Sequence, residues 1–412
     1  MGQFRKIRRR RPAGPVVGEF KSDVAVMTGK RIYLDWNATA PLRPEAKAAM
    51  AEAWDLAGNP SSVHSEGRAA RRMVEDARAV LAAATGAKPH NVIFTSGGTE
   101  ANALALAPGL HPSGGEPLMR LMVSAVEHPS VLAGGRFAGT GIVRVPVDQS
   151  GVVDIARLEA MLVREPPALV SVMLANNETG AIQPISRVAP IVHAAGGLLH
   201  VDAVQAFGRM AIDLSELGAD LLTVSAHKIG GPKGVGALVM AEGVAGLEPL
   251  IAGGGQEKRR RAGTENVPGI AGFGAAVKAA LATREAAQSR MEALRSHLES
   301  GLRAGGRDVV IFSEGAPRLA NTTLVSRPGM KAETAVIAFD LEGIAVSSGS
   351  ACSSGKVQAS HVLAAMGAEP ALAQGALRLS LGWDTTEGDI EGALKAWRKL
   401  AGVLGKERQT VA

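Results

Sequence analysis

The feature that most constrains this chain is an alternation, through its middle, of short apolar β-rich runs with helical stretches, the pattern of a doubly wound, mostly parallel sheet. The runs are Asn91 to Thr95, Arg120 to Ala125, Ile142 to Val147, Leu169 to Leu174, Leu198 to Asp202, Leu221 to Ser225 and Val235 to Met240, which predicts a seven-stranded sheet. Helical patterns fall between most of them, as at Arg68 to Ala84, Asp154 to Val163 and Ile185 to Ala195. An Ala-rich helical stretch follows from about Val267 to Gly305, and beyond it the elements are shorter and less regular. That change reads as passage into a smaller α+β domain. A chain of 412 residues fits two domains. The expected division is a large domain over 43–282, a small domain over 31–42 with 283–412, and an arm over 1–30.

The formal charge of +6 hints at nucleic acid only until it is located. Arg5, Lys6, Arg8, Arg9, Arg10, Arg11, Lys21 and Lys30, set against Glu19 and Asp23, account for the whole excess. Residues 1–30 therefore read as a basic, solvated, disordered arm, and no nucleic-acid partner is expected for the neutral folded body. No run is long enough to span a membrane, and no apolar signal core follows the basic stretch, so the expected compartment is the cytoplasm. A single cysteine excludes an internal disulfide framework and a Cys-rich metal site, and no metal is expected. One thiol, Cys352, is left to explain.

In an open α/β sheet ligands bind beyond the carboxyl ends of the strands. Polar residues collect there: Ser96-Gly97-Gly98-Thr99, Glu127-His128, Asn176-Asn177-Glu178, Asp202 with Gln205, and Ser225-Ala226-His227-Lys228. Ser96 to Thr99 follows a strand and opens the helix Glu100 to Ala107, so free N–H groups and a hydroxyl face one point, as a phosphate requires. A plain strand-to-helix turn would look the same. Asp202 ends an apolar strand, where a buried carboxylate needs a partner such as a pyridinium nitrogen. Lys228 follows the next strand; in a dry pocket its amine has a lowered pKa and forms a Schiff base with an aldehyde. Singly, Asp202 could be a strand-end cap, Lys228 a surface charge and His128 a loop histidine. Together, at strand ends of one sheet and in this order, they match the surroundings of pyridoxal 5'-phosphate.

Cys352 lies in the small-residue run Ser347 to Gly355, which offers little core to bury a thiol. Arg378 is a charge inside the apolar strand pattern Leu377 to Leu381, and a substrate carboxylate is one candidate partner for its guanidinium.

From Ile32 nearly to the C-terminus the chain resembles the cysteine desulfurases of the nitrogen-fixation and iron-sulfur-cluster type, within the class V aminotransferase group. The resemblance is carried by Tyr33 to Pro41, Gly58 to His64, Phe94 to Glu100, Glu127-His128-Pro129, Ala175 to Gly180, Val201 to Gln205, His227-Lys228, Arg261 to Asn266 and Ser347 to Ser353. It departs at Ala226, where glycine is usual, and at Gly98 and Ala40, where alanine and threonine are frequent.

The resemblance implies pyridoxal-phosphate fold type I. It further implies that Lys228 holds the cofactor, that Asp202 pairs with its ring nitrogen and that His128 stacks on the ring. Gly98, Thr99, Ser225 and His227 would bind the phosphate, with Thr264 reaching in from the other subunit of a homodimer. Asn177 and Gln205 would contact the ring and its phenolic oxygen, and Arg378 with Asn177 would grip the substrate carboxylate. Cys352 would take sulfur from L-cysteine as a persulfide, leaving alanine, and pass it to an acceptor protein such as an iron-sulfur scaffold. Either His128 or solvent would take the thiol proton. A selenocysteine lyase or a transaminase of the same fold is the alternative, and a transaminase would have no use for Cys352. An inactive assembly scaffold would have no use for Lys228, Asp202 and His128.

Overall fold

Each of the seven predicted runs forms a strand, and the reason they look continuously apolar lies in where alternate side chains go. In the computed structural model, which describes residues 31–137, 141–163, 165–306, 308–349 and 360–411, the strands are β1 (Val92–Thr95), β2 (Leu121–Ser124), β3 (Val143–Val145), β4 (Leu169–Ser171), β5 (Leu198–Asp202), β6 (Leu221–Ser225) and β7 (Gly236–Met240). Val92, Phe94, Met122, Leu199, Val201, Leu222 and Val224 enter one core, with Val74, Leu81 and Phe273 from the helices Ser65–Thr85 and Val267–Ala304. Their neighbours Ile93, Leu121, Val123, Leu198, Leu221 and Leu238 enter a second core on the other face, with Leu104 of the helix Gly98–Ala105. A sheet covered on both faces has no polar side to alternate with.

The strand order is β1-β7-β6-β5-β4-β2-β3, parallel throughout except for β7, which runs antiparallel to both β1 and β6. The sheet is thus mostly parallel, as expected. The reversal of β7 brings Gly236 into register with both Thr95 and Ser225. A Cβ at Gly236 would lie 2.6 Å from the Gly97 carbonyl carbon, so only glycine lets the turn after β1 cross there.

A second sheet is wholly antiparallel, in the order β8 (Val310–Ile311), β9 (Thr322–Ser326), β11 (Leu377–Ser380), β10 (Ser347–Ser348). Val325, Leu377 and Leu379 share a further core with Phe339 and with Trp397 of the C-terminal helix Glu387–Val411. The helix Val267–Ala304 serves both regions, giving Phe273 and Val277 to the first core and Leu294, Leu298 and Leu302 to this one. Arg31–Ala412 forms one compact unit. Among the described residues no helix is long and apolar enough to cross a membrane, and no cluster of His, Cys, Asp and Glu could hold a metal. The predicted arm 1–30 and Cys352 lie outside the described residues.

One buried ion pair ties the rim of β1 to the segment that follows β7. The Arg78 guanidinium donates to both oxygens of Glu257, at 2.7 and 2.9 Å, and the Phe94 N–H donates to the same carboxylate at 3.1 Å. Removing the cation alone strands a carboxylate in the interior. Arg78→Met is expected to lower unfolding stability by about 3 kcal/mol, read as a lower denaturant midpoint at an unchanged slope. A midpoint equal to that of the parent protein would show that the pair contributes nothing.

Candidate active site

The turn after β1 is shaped by missing side chains. Gly97 has φ of +154°, and a Cβ on Gly98 would lie 2.9 Å from Val204 Cγ2. Val204 fills the space an alanine would need, which explains how glycine stands at Gly98 in this chain. A second substituted position, Ala226, is fully buried; a Cβ on Gly231 would sit 2.9 Å from its own. Helix Gly98–Ala105 therefore begins close against the end of β6, with Ser225 and His227 beside it.

Ten of the predicted residues line one cavity of about 260 Å³: Gly98, Thr99, His128, Asn177 and Asp202, then Gln205, Ser225, His227, Lys228 and Arg378. Thr264 does not. It is exposed on the loop before helix Val267–Ala304 and lines a separate hollow with Thr95, Ser96 and Arg261.

Asp202 is buried at the end of β5 and among the described residues accepts only from neutral donors, the Val204 N–H at 3.0 Å and the Asn102 amide at 2.8 Å. Among the described residues no ion pair reaches it. A carboxylate only accepts, so the Asn102 nitrogen must face it, and its second hydrogen goes to Ser130 Oγ at 2.9 Å. Ser130 Oγ in turn meets His128 Nδ1 at 2.7 Å, and the Ser130 N–H donates to that nitrogen at 3.2 Å. Nδ1 is thereby an acceptor, and the neutral ring carries its proton on Nε2. Burial lowers the His128 pKa, against the pull of Asp202. Burial, with Lys228, Lys233 and Arg209 nearby, also pushes His227 down to about 4, so that ring is neutral at pH 7.

The segment before helix Pro44–Trp54 closes the other side. Lys228 Nζ donates to the Asn37 and Ala38 carbonyls. The Gln205 amide donates to the Asn37 carbonyl at 3.0 Å, and Arg209 donates to Gln205 Oε1 at 2.6 Å and to Asn37 Oδ1 at 3.0 Å. Arg209 is partly buried; burial, reinforced by Arg378, pushes it down to about 10. Arg378 itself donates to Asp35 Oδ1 at 2.7 Å and to the Asn177 carbonyl at 2.9 Å, while its Nε is buried without a partner.

Asn37, Asn102, Ser130 and Arg209 were not among the residues singled out from sequence. Asn102 had a usable signal, since a helix opening at Gly98 places the residue four positions on over the same face. The joining of Asn37 and Arg209 had none, because the two lie 172 residues apart in the chain.

Fold and cavity define a class of pyridoxal-phosphate enzyme, and residues 32–392 match the Aminotransferase class-V family model, so the chain belongs to that family. Within it the chain is similar to a protein of Cereibacter sphaeroides named cysteine desulfurase, 43% identical over 89% of this chain and 94% of the relative. It is similar also to the cysteine desulfurase IscS of Dictyoglomus turgidum, 40% identical over 90% of this chain and 94% of that protein. The crystal structure of a NifS-like protein from Rickettsia africae superposes with a TM-score of 0.81, at 36% identity, over 90% of this chain and 99% of that one.

The hydrogen-bond chain from Asp202 to His128 makes a definite prediction about one ring. Nitrogen-15 spectra of histidine-labelled protein at pH 7 should show His128 neutral and protonated on Nε2. Ser130→Ala should weaken that tautomer preference without unfolding the protein. A doubly protonated His128 ring at pH 7 in the parent protein would contradict the arrangement.

Proposed function

We propose that this protein is a pyridoxal-phosphate-dependent cysteine desulfurase that converts L-cysteine to L-alanine and stores the sulfur on Cys352 as a persulfide. The observation that carries this reading is the pairing, in one cavity, of a buried carboxylate, served among the described residues only by neutral donors, with a lysine amine. The residues present fit the cofactor. Asp202 lacks the cation that a pyridinium nitrogen would supply, and the bare backbone of Gly97-Gly98 beside Ser225 and His227 leaves room for phosphate oxygens.

When bound, the cofactor supplies an electron sink for the substrate Cα. The chain does the rest. Lys228 holds the cofactor's aldehyde and carries the Cα proton; Asp202 keeps the ring nitrogen protonated; His128 packs on the ring face. Gly98, Thr99, Ser225 and His227 hold the phosphate, and Asn177 and Gln205 orient the ring and its phenolic oxygen. Arg378, whose unpartnered Nε is one remaining donor, holds the substrate carboxylate with Asn177. The Cys352 thiolate attacks the substrate sulfur: an S–S bond forms as the C–S bond breaks, and the organic remainder takes up protons and leaves as alanine. Since Nδ1 of His128 is already bonded to Ser130, solvent is the better acceptor for the thiol proton.

Reach supports Cys352. Ser347 pairs with Arg378 across β10 and β11, and five extended residues span at most about 17 Å. The same proposal includes a homodimer in which Thr264 serves the neighbouring subunit's phosphate, a division into parts 43–282 and 31–42 with 283–412, a cytoplasmic setting and a sulfur-acceptor protein as partner. The position of Thr264, exposed and away from its own chain's cavity, supports the dimer.

Borohydride reduction of the purified, cofactor-loaded protein should fix the cofactor on the peptide containing Lys228; fixation on the Lys233 peptide would refute the assignment. Given cysteine without reductant, the protein should gain one sulfur on the Cys352 peptide. Cys352→Ala should keep the visible spectral change on adding cysteine while losing sulfide formation by more than about a hundredfold. Sulfide release at the parent rate from Cys352→Ala would mean direct elimination instead of persulfide transfer.

A further inference from the structure

The end of the cavity assigned above to the phosphate opens into an adjoining hollow of about 390 Å³, where Gly97, Gly98, Thr99, Ser225 and His227 are joined by Lys233. Two lysines thus stand at the two ends of the site: Lys228 lines the inner cavity, and Lys233 only the outer hollow. Lys233 is carried on a turn between β6 and β7 that is tied at both sides. The Gly231 N–H donates to the Ala226 carbonyl at 2.9 Å, and the Ala226 N–H donates to the Val235 carbonyl at 3.1 Å. Gly230 and Gly234 permit the bends, at φ of +83° and +81°, and Gly236 then enters register with Thr95 and Ser225. The backbone of Lys233 is therefore held beside the turn after β1, while its side chain is exposed.

A phosphate monoester carries about −1.5 to −2 charge at pH 7. Backbone N–H groups and hydroxyls bind such a group without balancing it, and the start of helix Gly98–Ala105 supplies roughly half a positive charge at most. Among the described residues, the ionisable side chains lining the hollow are Glu100, His227 and Lys233. Glu100 is already matched by Arg261, which donates to both its oxygens at 2.9 and 3.3 Å. His227 is uncharged at pH 7, pushed down to about 4 by burial and then by Lys228, Lys233 and Arg209. The field of Lys233 therefore reaches a group already placed on the phosphate. The lysine ion pairs among the described residues are Lys88–Glu242 and Lys399–Glu342, so Lys233 has no carboxylate partner in that set.

We propose that Lys233 is the cation that balances the cofactor's phosphate, and that it thereby sets the preference of this site for a phosphorylated over an unphosphorylated pyridoxal. The inference rests on the phosphate lying in this hollow, as the proposed function has it. It gives the two lysines separate tasks, Lys228 at the aldehyde and Lys233 at the opposite end of the cofactor. Because the Lys233 side chain is exposed, its attraction for the phosphate is screened by salt, which provides a signature apart from affinity.

The test titrates the full-length protein, stripped of cofactor, with pyridoxal 5'-phosphate and with pyridoxal, which lacks the phosphate, and follows visible absorption at low and high salt. Lys233→Gln should weaken binding of pyridoxal 5'-phosphate at least about tenfold and change that of pyridoxal by less than about twofold. Lys233→Arg, which keeps the charge, should restore most of the affinity. Added salt should weaken binding of the phosphorylated compound by the parent protein more than by Lys233→Gln. Parent-like affinity for pyridoxal 5'-phosphate in Lys233→Gln, an equal loss for both compounds, or an unchanged salt dependence would overturn the proposal. A parent protein that binds pyridoxal as tightly as pyridoxal 5'-phosphate would instead refute the placement of the phosphate on which the proposal rests.

Discussion

A carboxylate at the end of a fully buried strand, held by amides and, among the described residues, by no cation, is the constraint around which this structure is arranged. Burying Asp202 in that state is unfavourable by several kcal/mol unless a positive group joins it. The chain nevertheless fixes it in place. Asn102 donates to it from the helix Gly98–Ala105, and the same amide holds Ser130, which in turn orients His128. Three elements of the fold are therefore set by the position of one charge: the helix Gly98–Ala105, the strand β5, and the turn after β2.

The opposite wall depends on a second network, built on Asn37. Its side chain meets Thr322, Asn321 and Arg209, and its carbonyl accepts from Gln205 and Lys228. This one residue links the antiparallel sheet to the parallel one at the cavity. Arg378 repeats the link, reaching from β11 to Asp35 and to the Asn177 carbonyl. The wall of the cavity is in this way coupled to how the two sheets sit against each other.

Much of this was legible in the amino-acid sequence, for physical reasons that differ from residue to residue. The strands were visible because alternate side chains of each feed two apolar cores, which leaves uninterrupted runs bounded by polar turns. Nine of the ten cavity residues could be read together because strand ends of one sheet must converge, so motif order brought Gly98, Asp202 and Lys228 together; Arg378 reaches the cavity from the second sheet. The direction of β7 was not, since an apolar run carries no sign of its orientation. Asn37 and Arg209 act through contacts that depend on the finished packing. The partner of Arg378 was left open between a substrate and the protein; the structure gives it Asp35, 343 residues earlier, and still leaves Nε for a carboxylate.

The central claim is that the Asp202 charge exists for the cofactor and not for the fold, and Asp202→Asn tests it most directly. The substitution keeps the shape, and Asn102 can turn its unpartnered Oδ1 toward the new amide. Stripped of cofactor, the variant should unfold at the same temperature as the parent or higher, because a buried charge has been removed. Loaded with cofactor, it should desulfurate cysteine more slowly by about a hundredfold or more. A variant that desulfurates at the parent rate, or one that is destabilised before any cofactor is added, would contradict the account.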